Sequence, residues 1–401
     1  MAKLRRIGNT LKFRLSMADD EATMSGALVG SNDDLLTQIL GRLPVTSILR
    51  FKLVSKHWNS LLSHRRFTLL YHPTLSLSPG LFIRNFYIPY GFNHENRTPP
   101  PLRSLSFHPD RRGIKILQSC NGLLLCCSDR GKERDRKYYI FNPTTNHFAT
   151  VPSVPGCMDF GTKICSMGLA FHRIDCPQYK IICILRIKRL FQIQIYSSDI
   201  GQWKICVKSF YSSQTSFDNG VYWNKAIYWS NIYSDAWYFK VDLQRLQKLS
   251  LPVQFRQPAT YYFGECGGHL HLVERRDGYY RESCLHMNVY EMNYDDDFIS
   301  MKKLLKYEVE LDELPVAYPE MKFHPNHYEF KVLDVVMGVE EEEEEKETLF
   351  MVVGIPGKVI RFNLADKSFK EIFDLTNIFR LGTRPFSEAR RYTQTLNPKN
   401  F

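Results

Sequence analysis

The sequence predicts an α+β protein of more than one domain: a small N-terminal helical segment, then a large all-β domain of propeller type. Three observations predict it. Strong apolar faces at helical spacing are confined to residues 31–72. From about residue 110 to 375, short runs rich in Tyr, Phe, Ile and Val alternate apolar with polar positions and are separated by turn signals. Those runs carry a loose internal repeat whose spacing is that of propeller blades, about 50 residues.

In the helical segment, Ser31 or Asn32 can cap a helix whose positive N-terminal end suits Asp33 and Asp34. Leu35, Leu36, Ile39, Leu40 and Leu43 then form a broad apolar stripe. Pro44 stops that helix and sits near the start of the next, where a missing N–H costs nothing. Ile48, Leu49, Phe51, Leu53 and Val54 crowd the second helix, and Ser55 can cap a third that brings Trp58, Leu61 and Leu62 to one side. So small a unit cannot hide all of these surfaces, so some should meet a partner.

The β repeat is anchored at Phe141, Tyr196, Val241, Tyr290 and Phe362, separated by 55, 45, 49 and 72 residues. The last interval holds the acidic run Glu340–Glu345, which is expected to form a solvated loop over 338–348. The full division is a disordered basic leader (1–30), the helical domain (31–72), a linker (73–109), the all-β domain (110–375) and a C-terminal tail (376–401).

Net charge is +11 over 401 residues, with +4 of it in 31–72 and five cations but no acid in 1–18. The rest is only mildly basic, and no basic patch with stacking aromatics stands out, so no nucleic-acid partner is expected. No apolar run approaches the roughly 20 residues that cross a membrane, so no membrane partner is expected either. Ten cysteines lack C-x-x-C spacing, and several sit in apolar runs, as reduced thiols of a cytosolic or nuclear protein would. A location in the nucleus, the cytoplasm or both is expected.

Enzyme signatures are weak. Gly354–Lys358 is too short for a phosphate loop and lacks the Ser or Thr after its lysine. Cys266, His269 and His271 have metal-like spacing without an evident fourth ligand, and read more simply as strand residues. Asp295–Asp297 read as a turn. Trp203, Trp223, Trp229 and Trp237 could line a sugar-binding pocket, although blade packing is their commoner use. No catalytic residue, metal or cofactor is assigned.

The string from Asp33 to Leu62 resembles the F-box, in its plant form. It departs only at its start, where Gly30-Ser31-Asn32 stands in place of the common Leu-Pro. The segments Ser119–Leu125, Phe141–Thr145, Gly168–Phe171, Gly220–Trp223 and Ala226–Trp229 are similar, in order, to the F-box-associated domain of plant F-box proteins. The resemblance implies a kelch-like β-propeller after the F-box. It also implies docking on a Skp-type adaptor, and through it on a cullin and a RING subunit, with the β domain binding an unknown protein substrate for ubiquitylation. The positions it carries over for adaptor binding are Leu35, Leu36, Ile39, Leu40, Leu43, Pro44, Leu49, Val54, Lys56 and Trp58. The adaptors are acidic as a family, complementary to the basic helical segment. The alternatives are an F-box scaffold or inhibitor that sequesters a partner through its β domain, and a propeller enzyme or lectin with an F-box attached.

Overall fold

The computed structural model describes residues 26, 28–43, 45–64, 66–67, 71, 80–84, 86–90, 113–130, 135–212, 217, 220–229, 236–249, 260–275, 285–294, 301–324, 327–339, 347–376, 386 and 389–392. The chain divides into two compact units, residues 1–77 with 396–399, and 78–395 with 400–401.

The first unit holds α1 (Asp33–Leu40), α2 (Val45–Phe51) and α3 (Lys56–Ser63). Of the two candidate caps, Asn32 takes the role: its Oδ1 accepts the Leu35 N–H at 3.0 Å. Ser55 caps α3, its Oγ accepting from the Trp58 N–H at 3.1 Å. Leu53 and Val54 fall in the turn after α2 rather than in the helix. At the end of the expected disordered leader, residues 28–31 are helical, with the Ser31 hydroxyl donating to the Leu28 carbonyl.

The second unit is a six-bladed propeller. Five blades have four antiparallel strands in sequence order. Strands β3–β6 (Ile114–Cys120, Leu123–Ser128, Tyr138–Asn142, His147–Val151) make blade I. Strands β7–β10 (Thr162–His172, Cys176–Ile187, Leu190–Ser197, Gln202–Phe210) make blade II. Blade III is β11–β14 (Val221–Trp223, Ala226–Trp229, Ala236–Lys240, Arg245–Leu249), and blade IV is β15–β18 (Thr260–Cys266, His269–Arg275, His286–Tyr294, Met301–Glu310). After a small hairpin, β19 (Lys322–His324) and β20 (His327–Tyr328), blade V is β21–β24 (Lys331–Val339, Glu347–Ile355, Lys358–Asn363, Phe369–Asp374).

Blade VI is assembled from both ends of the unit. The order is β2-β1-β25, with β1 (Gly80–Ile83) and β2 (Phe86–Pro89) from the N-terminal side and β25 (Ala389–Tyr392) from the C-terminal side. This corrects the sequence reading, which placed 80–89 in a linker and 389–392 in a tail. Four-residue strands completed only across some three hundred residues leave no local signature. The innermost strands touch in a closed ring: β3 to β7, β11, β15, β21, β25 and back to β3.

Six apolar cores lie between successive blades, one per junction. Alternate residues of one strand go to opposite neighbours: Leu123, Leu125 and Cys127 of β4 pack toward blade II, and Leu124 and Cys126 toward blade VI. A blade is therefore buried on both faces, so β4 and much of β8 read as continuous apolar runs. The five repeat anchors all belong to the third strands of blades I–V or the residue just after, and the missing sixth copy is β2.

The acidic run also needs correction. Met337, Gly338 and Val339 pair with Leu349, Thr348 and Glu347, so the strands extend into the expected 338–348 loop; residues 340–346 lie outside the described residues. Part of the long last interval is the β19–β20 insertion instead. Tight turns behave as their residues require. Asn121 and Gly122 both have positive φ between β3 and β4, and the Asn142 Oδ1 accepts from the Thr144 and Thr145 N–H groups.

Candidate functional site

In the helical unit, the ten adaptor positions divide by burial. Leu36 and Leu40 are buried with Ile48, Leu62, Phe67 and Tyr71, and Leu43, Leu49 and Trp58 pack partly against that core. The Tyr71 hydroxyl donates to the Leu43 carbonyl at 2.6 Å, and the Phe51 and Trp58 rings lie 5.5 Å apart. Leu35, Ile39, Val54 and Lys56 are exposed instead, Val54 at 60%. Pro44 lies outside the described residues.

Leu53, 86% exposed, joins this outward apolar set and was not among the sequence candidates. Its neighbour Val54, a candidate at the adjacent position, gave the available signal. His57 and Asp33 meet at 2.8 Å and tie the start of α3 to the start of α1. The outcome is a small unit whose interior is filled and whose outer apolar residues have no use in its own packing.

In the propeller, the polar centre is Asp334 on β21. It is buried and surrounded by donors from three other segments. Arg391 of β25 donates from Nε at 2.7 Å and Nη2 at 2.5 Å; Tyr90 donates at 2.5 Å and Tyr262 of β15 at 2.8 Å. Arg391 also donates to the backbone carbonyls of Glu265 and Val335. Burial, then the Asp334 carboxylate, pushes the Tyr90 and Tyr262 phenols well above the ordinary range, so both remain donors. With all its neighbours spoken for, this cluster fastens strands together and offers no reactive group.

Other polar contacts fasten neighbouring blades in the same way. Gln118 of β3 donates to the Leu169 carbonyl and accepts from the Leu169 N–H on β7, and Arg390 donates to the Leu117 carbonyl. The tryptophans are taken up likewise: Trp203 donates to Pro152, Trp223 to Gly268, Trp229 to Ser166, and Trp237 is buried between blades II and III.

Cys266 and His271 are buried while His269 is exposed, and burial lowers the His271 pKa. Among the described residues, no three His, Cys, Asp or Glu side chains gather as metal ligands would. Gly354–Lys358 is the β22–β23 hairpin turn, and Asp295–Asp297 lie outside the described residues. None of the nine described cysteines is disulfide-bonded.

A three-helix unit followed in the chain by a six-bladed propeller defines a class of two-module proteins. Residues 32–70 match the F-box domain and residues 93–378 the F-box associated beta propeller domain, so the chain belongs to the F-box proteins with an associated propeller. F-box protein At5g07610 of Arabidopsis thaliana is 29% identical over 395 residues, covering 89% of each chain. F-box protein At5g49610 of the same plant is 36% identical over 121 residues, 30% of this chain and 32% of that one. F-box protein ETP2, also from Arabidopsis thaliana, is 29% identical over 189 residues, 43% of this chain and 46% of that one.

Proposed function

We propose that this chain is the substrate-recognition subunit of an SCF-type ubiquitin ligase, with its F-box on a Skp-type adaptor and its propeller on the target. The observation that carries the reading is the outward set Leu35, Ile39, Leu53 and Val54 on a helical unit whose own core is already complete. Lys56 and the surrounding excess of basic residues suit an acidic adaptor. Leu36, Leu40, Leu43, Leu49 and Trp58 hold that surface in shape from behind.

In this reading the chain does no covalent chemistry. It contributes proximity: a target held on the propeller is attacked as if in the same molecule, at a high effective concentration. The nucleus or cytoplasm is the compartment, in keeping with the absence of disulfides among the described residues.

The test is a pull-down of a purified Skp-type adaptor by wild-type protein and by Ile39→Ala/Val54→Ala. Both side chains are exposed, so the variant retains its fold. Loss of capture by the variant alone is the expected result; equal capture by the two would remove the F-box from the adaptor contact. Reconstituted ubiquitylation that requires the cullin then separates a ligase subunit from a sequestering scaffold.

A further inference from the structure

Among the described residues, blade II carries the longest strand pair, β7 with 11 residues and β8 with 12, and ends in an apolar and basic tip. The connection from β6 to β7 passes beside that tip as a series of tight turns: Cys157 N–H donates to Val154, Asp159 to Gly156 and Thr162 to Asp159. It is fixed to blade II at two points. Gln194, buried on β9, donates to the Pro155 carbonyl at 3.0 Å, and the Lys188 N–H donates to Gly161 at 3.1 Å. Yet this well-anchored loop presents Phe160 fully exposed and Met158 66% exposed.

Ile187 and Leu190 pair directly across the β8–β9 turn and are exposed as well. They have the parity of Leu185, which packs toward blade I, the side from which the loop arrives. Lys188 and Arg189 form the β8–β9 turn at the tip itself, Lys163 and Arg186 pair with each other behind it on the opposite face, and Asp159 is the acid of the adjoining loop. Fixed backbone under a free aromatic side chain lowers the entropy lost on binding, and aromatic anchors beside arginine are what binding hot spots are made of.

We propose that this tip is the propeller's target-recognition surface, and that its ligand is an acidic peptide segment bearing bulky apolar side chains. The inference rests on the substrate-recognition reading above and deepens it. A second copy of the chain is disfavoured, because a symmetric contact would bring Lys188 and Arg189 of the tip against their own counterparts. Nucleic acid is disfavoured because Phe160 is the single ring of the patch, and Met158, Ile187 and Leu190 beside it offer no further platform for successive bases. Val339 and Glu347, which bound the chain's own acidic run in sequence, lie where a first strand ends, whereas the tip lies where one begins.

The experiment measures fluorescence anisotropy of a labelled synthetic peptide of Asp and Glu interspersed with Leu and Phe, and of its counterpart with Lys for every acid. The full-length protein is compared with Phe160→Ala, Lys188→Glu/Arg189→Glu, and Ile174→Ala, an exposed site at the far end of the same hairpin. The expected result is binding of the acidic peptide only, weakened about tenfold or more by each of the first two variants and unchanged by the third. No binding, equal binding of the basic peptide, displacement by a single-stranded oligonucleotide, or insensitivity to Phe160→Ala would each overturn the proposal. Adaptor capture by the same preparations reads the F-box separately, so failure of the tip and failure of the ligase reading are told apart.

Discussion

Arg391 and Asp334 form a two-pronged ion pair, Nε to Oδ2 at 2.7 Å and Nη2 to Oδ1 at 2.5 Å, that joins the innermost strands of blades VI and V. Such a pair is weak evidence for net stabilisation, because both charges must be desolvated. Its sensitivity lies in removal of one partner. Arg391→Leu leaves the Asp334 carboxylate buried with only two phenols and a backbone N–H, at a cost of about 3–5 kcal/mol. Urea unfolding of the variant checks this, and the double change Arg391→Leu/Asp334→Leu should recover part of the loss.

Alkaline pH should destabilise the propeller. Burial raises the phenols of Tyr90 and Tyr262 and the thiols of Cys126, Cys176 and Cys266, the last two to about 11. Raised acids stay protonated in the folded state while the unfolded chain releases their protons. The stability they contribute is complete below the unfolded values, 9.0 for the thiols and 10.0 for the phenols, and is lost as pH rises beyond them. The unfolding midpoint should therefore be level near pH 8 and fall steadily through pH 9 to 11.

His271 sets an acid limit of opposite sign. Burial holds its pKa below 6.5, so the unfolded chain binds a proton before the folded one does, and stability falls as pH drops below that value. His271→Gln should flatten this fall. Unfolding curves of the two proteins compared between pH 5 and 7 provide the measurement, and parallel curves would exclude His271 as the cause.

The helical unit should separate folding from docking. Leu62→Ala removes a fully buried side chain and should cost about 2–5 kcal/mol, read as loss of helical signal at lower temperature. Leu53→Ala and Val54→Ala touch no core and should change stability by about 0.5 kcal/mol or less, while weakening adaptor capture.

Gly80 has no room for a methyl group. A Cβ there would lie 2.4 Å from the Tyr87 ring and 2.7 Å from the Ile88 carbonyl oxygen. The second neighbour is backbone and cannot swing aside, so Gly80→Ala should cost about 1–3 kcal/mol by overpacking, seen in the urea midpoint.

Much of this architecture was legible. The α1 and α3 caps, the apolar faces, and the third strands of five blades followed from local residue patterns, because each depends on neighbours within a few positions. Blade VI did not, since the partners of Leu81 and Phe82 are Arg391 and Arg390, more than three hundred residues away. Nor did the strand faces: alternation marks a half-buried strand, whereas Leu123–Cys127 are buried on both sides. Of the adaptor positions, periodicity alone could not distinguish Leu36, which faces inward, from Leu35, which faces out; an apolar side chain looks the same either way. Phe160 was invisible for a related reason, because exposure depends on what the rest of the chain leaves uncovered.

Building blade VI from β1, β2 and β25 has a consequence for synthesis. During translation, blades I to V emerge and pair in order, while the β1–β2 hairpin waits with one edge unfilled. Only after residue 392 has left the ribosome can the circle shut and Asp334 receive its cation. A chain cut short before Ala389 would thus yield a ring with an open seam, exposing the wedge of apolar side chains between Leu81 and Val352 to quality-control machinery.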